Sequence, residues 1–186
     1  YKLELWEEHG DAQPNIIHES IVRLEKAGKV EMVVTQNVDG LHLAAGTNRD
    51  LLVEVHGNGT LVECQSCGFE EPAHPSFEKF SNDGQCPTCK CGGYLKPATI
   101  SFGQNLREAD LKRAFVTAEA CDLVVALGST LSVSPANSIP LRAAQAGNPY
   151  IIINRDETDH DGLSQVSLRL SGNVEDLFPV AVNEAL

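Results

Sequence analysis

The sequence predicts a parallel α/β sheet covered by helices on both faces and interrupted by a cysteine-rich insert. Three observations lead there. Short runs of continuous Val, Ile and Leu alternate with stretches of helical periodicity, as buried parallel strands and their crossovers do. Those runs end in polar residues and glycine. Five of the six cysteines fall between Cys64 and Cys91, where periodicity lapses.

Asn15, behind Pro14, opens a helix with Ile17, Ile21 and Leu24 on one face, and Gly28 stops it. "VEMVVTQN" reads as a buried strand and "LLVEVHG" as a second, shorter one. From Cys64 to Cys91 the chain is rich in Gly, Pro and Ser and reads as a loop-rich insert. "LKPATISFG" returns to strand, and Leu111, Ala114, Phe115 and Ala118 mark an amphipathic helix. "CDLVVALGST" is a strand followed by a glycine turn, with Cys121 as a small buried hydrophobe. Residues 138–146 are helical, Pro140 being tolerated in the first turn and Gly147 acting as a stop. "YIIIN" and "VSLRLSG" are the last strands, and Val174 to Leu186 forms a terminal helix. The expected division is one domain over 1–60 and 97–186, with the insert at 61–96.

The 186 residues are enough for one sizeable domain, and no apolar run approaches membrane-spanning length. A net charge of −12 disfavours nucleic acid and anionic membranes and steers a cationic partner such as a lysine-bearing peptide. Six cysteines in a chain of cytoplasmic character suggest metal before disulfides. Cys64-x2-Cys67 and Cys86-x2-Cys89, eighteen residues apart, have zinc-ribbon spacing. "CPTCKC" offers three thiols for two places: Cys86 with Cys91 is the alternative, and the commoner two-residue knuckle favours Cys86 with Cys89. Four sulfurs leave no open position for water, which makes such a zinc structural.

Gln36, Asn37, Asp39 and His42 surround Gly40 in "TQNVDGLH", directly behind an apolar run. Turn chemistry alone accounts for Asn, Asp and Gly, whereas a pocket at the carboxyl end of a strand accounts for the whole set. His56 ends its strand beside Gly57-Asn58-Gly59, where it is either a general base or a hydrogen-bonded structural histidine. Gly128, Ser129 and Thr130 suit phosphate or ribose oxygens, or an ordinary βα turn. Asn154 ends the next strand, and Asn173 and Val174 follow the last.

The ordered set "PNIIH", "TQNVDGLHLAAG", "EVHG", paired cysteines, "LKPATISFGQ", "GSTLSVSPA", "IIIN" and "GNVEDLFP" resembles the sirtuin family, NAD-dependent protein lysine deacylases. The resemblance covers nearly the whole chain. It implies a Rossmann-like, doubly wound parallel sheet with a small zinc-ribbon insert, residues 1–13 coming from a small helical region. It implies His56 as general base and Gln36, Asn37 and Asp39 around the nicotinamide ribose, with Asn37 and Asp39 taking part in catalysis. Gly128, Ser129, Thr130, Asn154, Asn173 and Val174 would hold the adenosine half. Phe102, Gly103, Ser132 and Val133 would border the groove for an acyl-lysine protein or peptide. The implied products are nicotinamide, free lysine and O-acyl-ADP-ribose. A catalytically silent zinc-bearing binding module, and an NAD hydrolase or ADP-ribosyltransferase using the same pocket, are the alternatives.

The match has two departures. Gln104 stands where many members have glutamate. The glycine-rich loop and the strand before it, central in a Rossmann sheet, are not in this sequence. They are expected from an N-terminal segment or, failing that, a separate chain. Without them two buried strands lack the neighbour between them.

Overall fold

The structure is a computed structural model that describes residues 12–101 and 103–186. Among these, α1 (Ile16–Lys26) begins at a reciprocal cap: Asn15 accepts from the Ile17 and His18 amides, and the His18 ring accepts from the Asn15 amide. β1 (Val33–Thr35) follows, then a short α2 (Leu41–Ala45) and β2 (Leu52–Glu54). Three antiparallel strands come next, β3 (Gly57–Cys64), β4 (Glu70–Pro72) and β5 (Leu95–Thr99), with α3 (Ala73–Asp83) between the last two. The chain continues through α4 (Glu108–Ala120), β6 (Val124–Leu127), α5 (Ser138–Gln145), β7 (Tyr150–Asn154), β8 (Leu168–Ser171) and α6 (Val174–Ala185).

The predicted parallel α/β architecture is what the chain adopts. β1 pairs with β2 in parallel, and β6, β7 and β8 form a second parallel sheet in that order. Alternation along a strand sends successive side chains to opposite faces. Tyr150 and Ile152 pack with Leu141 and Ala144 of α5, while Ile151 and Ile153 pack with Val174, Phe178 and Val182 of α6. The face predicted for α1, Ile17, Ile21 and Leu24, joins that second cluster. Helices therefore cover both faces, and continuous apolar strands are the consequence.

The two parallel sheets share a helical layer. Val34 of β1 and Val124 of β6 both pack against the cluster built by Ala114, Ala118, Ile139 and Ala143 of α4 and α5. Among the described residues, β1 pairs only with β2 and β6 only with β7. Each thus keeps one backbone edge without a bonded strand. An apolar, uncharged edge of this kind is what natural sheets avoid exposing.

Where composition predicts loop between Cys64 and Cys91, the chain folds the eleven-residue α3. Its buried residues are only Ala73, Ser76 and Phe77, too narrow a stripe to stand out as amphipathic. Pro75 is tolerated in its first turn, and Gly84, at φ 66°, closes it in the left-handed conformation. None of the described helices is long and apolar enough to cross a membrane.

Gly57 joins the parallel and antiparallel parts and carries a hard constraint. Its φ is +79°, and a Cβ there would lie 2.1 Å from the Ala98 carbonyl oxygen. Backbone on a paired strand cannot step aside cheaply. Gly57→Ala should therefore destabilise the fold by about 2–4 kcal/mol, from strain plus overpacking. Urea denaturation measures this, and an unchanged midpoint would show that the β3–β5 junction yields.

Candidate functional site

Parallel strands release their carboxyl ends on one side of a sheet, and the polar residues singled out above stand at those ends. Beyond β1, the Asn37 amide donates to Thr35 Oγ1 at 3.1 Å, and Asp39 Oδ1 accepts from the Leu41 amide at 2.9 Å in the turn that leads into α2. Gln36 reaches both ways. Its side-chain amide donates to Ser129 Oγ at 3.4 Å, linking the end of β1 to the end of β6. Its backbone carbonyl lies 3.0 Å from His56 Nδ1. A carbonyl can only accept, so Nδ1 is the donor in this contact, which in the neutral ring leaves the Nε2 lone pair for an incoming donor. The backbone fixes His56 further, the Ile100 amide donating to its carbonyl at 2.8 Å.

The loops after β1 and β2 are closely stitched. The Gly59 amide donates to the Val38 carbonyl at 2.7 Å, and Asn58 Oδ1 accepts from the Thr60 amide at 2.8 Å and from its hydroxyl at 2.6 Å. Asn58 is itself buried and donates to Glu54 at 2.8 Å. Under this layer His42 and His18 face each other with ring centroids 4.8 Å apart. Burial holds both below the ordinary imidazole range, His18 adding to the effect at His42, while Asp39 pulls both the other way. Among the described residues His42 Nδ1 is buried without a hydrogen-bond partner.

After β6, Gly128 has φ +59° and Leu131, a buried leucine, has φ +56°. A left-handed leucine is strained, and such residues gather at sites the surrounding structure over-determines. The Leu131 amide donates to Ser129 Oγ at 3.1 Å and its carbonyl accepts from Asn137 at 3.1 Å. Thr130 and Ser132 hydroxyls meet at 2.8 Å, and Ser132 and Val133 are exposed. Asn154, buried, commits its side-chain amide to the Asp156 carbonyl at 2.8 Å. Asn173 caps α6, and Val174 is buried about 3.8 Å from where a Gly128 Cβ would stand. Gly103 is exposed with φ +85°, while Phe102 lies outside the described residues.

The cysteines form a second centre. Cys64, Cys67, Cys89 and Cys91 present sulfurs all within 4.8 Å of one another. Cys64 Sγ lies 3.5 Å from Cys91 Sγ, and Cys67 Sγ 3.8 Å from Cys89 Sγ. A tetrahedron with Zn–S bonds of about 2.3 Å has edges of about 3.8 Å, so the set fits one structural zinc. Amides of Ser66 and Cys67 draw the Cys64 thiol down to about 7 against the effect of burial. At Cys67 the Phe69 amide pulls downward, but neighbouring sulfurs Cys91 and Cys64 with burial push the thiol up to about 12.

Cys86, placed in this set by the two-residue knuckle, lies outside it, and Cys91 takes its position. The turn explains the difference. The Gly92 amide donates to the Cys89 carbonyl and the Cys89 amide to Gly93, closing a tight knuckle over 89–93. Cys86 precedes an arm that pairs elsewhere, the Leu95 amide donating to the Pro87 carbonyl at 2.9 Å. Gly93 sits so close that a Cβ would meet the Ser66 hydroxyl at 2.5 Å and Cys64 Sγ at 2.8 Å.

Sequence reasoning did not single out Arg169, Tyr150 or Asn58. An arginine inside the apolar pattern "SLRLS" was the available signal for the first. A cleft of ≈ 270 Å³ runs beside β2 and the start of β3, lined by Arg49, Glu54, Arg107 and Arg113 among others. Two of its arginines are already paired, Arg49 with Glu54 at 2.9 Å and Arg107 with Glu63 and Glu70 at 3.4 and 3.3 Å.

Comparison with known proteins fits this geometry. The model of the Sir2 family matches residues 2–135, and the chain belongs to that family. NAD-dependent protein deacetylase 1 of Bradyrhizobium diazoefficiens is 40% identical over 159 residues, 85% of this chain and 62% of the relative. NAD-dependent protein deacetylase of Haloarcula marismortui is 36% identical over 173 residues, 92% of this chain and 65% of the relative. The chain thus spans under two thirds of the length of these relatives. Among solved structures, Sir2Tm bound to a propionylated peptide superposes with a TM-score of 0.87 at 30% identity, covering 98% of this chain and 77% of that one. A Sir2–p53 peptide–NAD+ complex gives 0.83 at 31% identity, covering 94% and 70%.

The cluster geometry predicts that Cys91→Ser loses the metal and Cys86→Ser keeps about one zinc per chain. Elemental analysis of the purified variants decides it. Zinc lost from the Cys86 variant and kept in the Cys91 variant would restore the two-residue knuckle.

Proposed function

We propose that this chain forms the larger part of an NAD-dependent protein lysine deacylase, working in the cytoplasm on acyl-lysine peptides. The observation that carries the reading is the fixed tautomer of His56. Its Nδ1–H is spent on the Gln36 carbonyl, at the point where the ends of β1, β2 and β6 meet.

The donor set suits the dinucleotide. Neutral amides and hydroxyls at Gln36, Asn37, Ser129, Thr130 and Asn173 match ribose hydroxyls and a carboxamide, and positive φ at Gly128 opens backbone to a ligand. NAD, when bound, supplies a ribosyl carbon from which nicotinamide can depart. His56 Nε2 then accepts a proton from a ribose hydroxyl. Gln36, Asn37 and Asp39 hold the nicotinamide end, and the last two thereby take part in catalysis. Gly128, Ser129, Thr130, Asn154, Asn173 and Val174 hold the adenosine half. Phe102, Gly103, Ser132 and Val133 border the peptide, which the net charge of −12 attracts through its lysine. The products are nicotinamide, the free lysine and O-acyl-ADP-ribose. The matched deacetylases and the NAD complex of a Sir2 protein support this reading.

His56→Ala in the full-length protein should slow deacylation of an acyl-peptide at least ~10²-fold, the lower range for losing a general base, with the fold intact by circular dichroism. Near wild-type turnover would remove His56 from the mechanism.

The open edges of β1 and β6 support a second part of the proposal: one further parallel strand, from outside the described residues, lies between them and brings the pyrophosphate loop. Two lost charge-assisted hydrogen bonds, at roughly 1.5–3 kcal/mol each, weaken NAD about a hundredfold or more. A protein beginning at Tyr1 should accordingly bind NAD far more weakly in calorimetry than one extended upstream. Equal affinity would mean that the crevice is complete without that loop.

A further inference from the structure

The segment from Arg155 to Asp161, "RDETDHD", leaves the end of β7 and returns along the same end of the sheet. Its amide at Asp159 donates to the Thr130 carbonyl at 2.9 Å, so it straps the end of β7 to the turn after β6. Five of its seven residues are exposed and four are acidic, so it has little apolar surface to hold it, and the positions of Asn154 and Thr130 then depend on whatever pins it.

Arg169 of β8 does the pinning. Its side chain is 19% exposed. Nε donates to Asp161 Oδ1 at 2.8 Å, Nη1 to the Asn154 carbonyl at 2.9 Å, and Nη2 to the Asp156 carbonyl at 2.7 Å, with Nη1 also donating to the Leu170 carbonyl. Asp156 O is shared, since it also accepts the Asn154 side-chain amide at 2.8 Å. Asp161, for its part, accepts from the Thr158 hydroxyl at 2.7 Å and amide at 3.2 Å. At the far side the strap is seated by His160, buried, whose Nδ1 lies 3.0 Å from the hydroxyl of fully buried Tyr150. One planar fork thus gathers four oxygens, of which Asp161 Oδ1, Asp156 O and Asn154 O each share a second donor, and a lysine ammonium cannot reproduce that spread.

We propose that Arg169 is a positioning residue for the adenosine half of the dinucleotide, setting Asn154 and Thr130 through the 155–161 strap. The assignment rests on the reading of those strand ends as the NAD site. Arg169 touches neither the reacting atoms nor the zinc, so its loss acts on cofactor affinity and leaves chemistry alone.

The test uses the full-length protein with Arg169→Lys and Arg169→Met. The KM for NAD and its calorimetric Kd should rise at least ~10-fold, the scale of one lost charge-assisted hydrogen bond, more in the methionine variant than in the lysine one. The kcat at saturating NAD should stay within about twofold, and the peptide KM and zinc content should not move. Hydrogen exchange at the Asp159 amide should accelerate while Ile152, in the centre of β7, keeps its protection. Unchanged NAD affinity, a fall in kcat with KM constant, or equal loss of protection at Ile152 would each overturn the proposal. Absence of NAD binding in the wild-type protein would instead bring down the site reading, and this assignment with it. Accelerated exchange at Asp159 would then report a loop clamp without a nucleotide.

Discussion

Parallel pairing is the constraint from which the rest follows. A parallel strand cannot return to its neighbour by a tight turn, so each connection is a crossover, through α5 between β6 and β7 and through a helix-free segment between β7 and β8, and each strand releases its end on the same side. In this chain that side collects Gln36, His56, Ser129, Asn154 and Asn173, which lie far apart in sequence and on separate connections. The Gln36–Ser129 contact shows that the two parallel sheets share it, although no strand pairs them. The apolar strands need burial on both faces, and the polar ends need somewhere wet to stand. The crevice is the meeting point of those two demands.

The antiparallel insert is tied to that crevice through backbone. β3 starts one residue after His56, and β5 ends one residue before Ile100, whose amide holds the His56 carbonyl. The other ends of both strands carry the metal site: Cys64 ends β3, and the 89–93 knuckle leads into β5. The cysteine cluster and His56 thus stand at opposite ends of one two-strand ladder, with no residue shared between them. That ladder is continuous in chain but its register shifts between Asn58 and Val62, which separates the metal end from the histidine end.

Much of this was legible in the sequence because it rests on local patterns. Continuous apolar runs, the Asn15 cap and the amphipathic face of α1 each have a short-range signal, and the structure follows them. α3 escaped because its buried stripe is three residues wide inside a stretch dominated by Gly, Pro and Cys. Spacing placed Cys86 in the set and left Cys89 and Cys91 to compete for the last place, whereas the structure gathers both of these and leaves Cys86 out. That arrangement follows hydrogen bonds from Cys89, Gly92 and Leu95 that no spacing rule contains. Arg169 was hidden for a related reason: its partners are mainly backbone carbonyls, which every sequence has and none displays.

The same distinction separates the two kinds of residue at the strand ends. His56, Asn37 and Ser129 carry functional groups that a ligand could meet, so chemistry alone draws attention to them. Gly57, Leu131 and Arg169 carry nothing to the ligand, yet each holds backbone where it would not otherwise rest. Gly57 allows β3 to pass against Ala98, Leu131 accepts a left-handed conformation to turn the chain after Ser129, and Arg169 gathers the carbonyls after Asn154. Strain and a buried charge cost stability, each on the order of 1–3 kcal/mol, and persist only where the surrounding structure compensates. Their concentration along this one side of the sheet, with none of the three able to react, is what a site built to hold a ligand in a fixed pose demands.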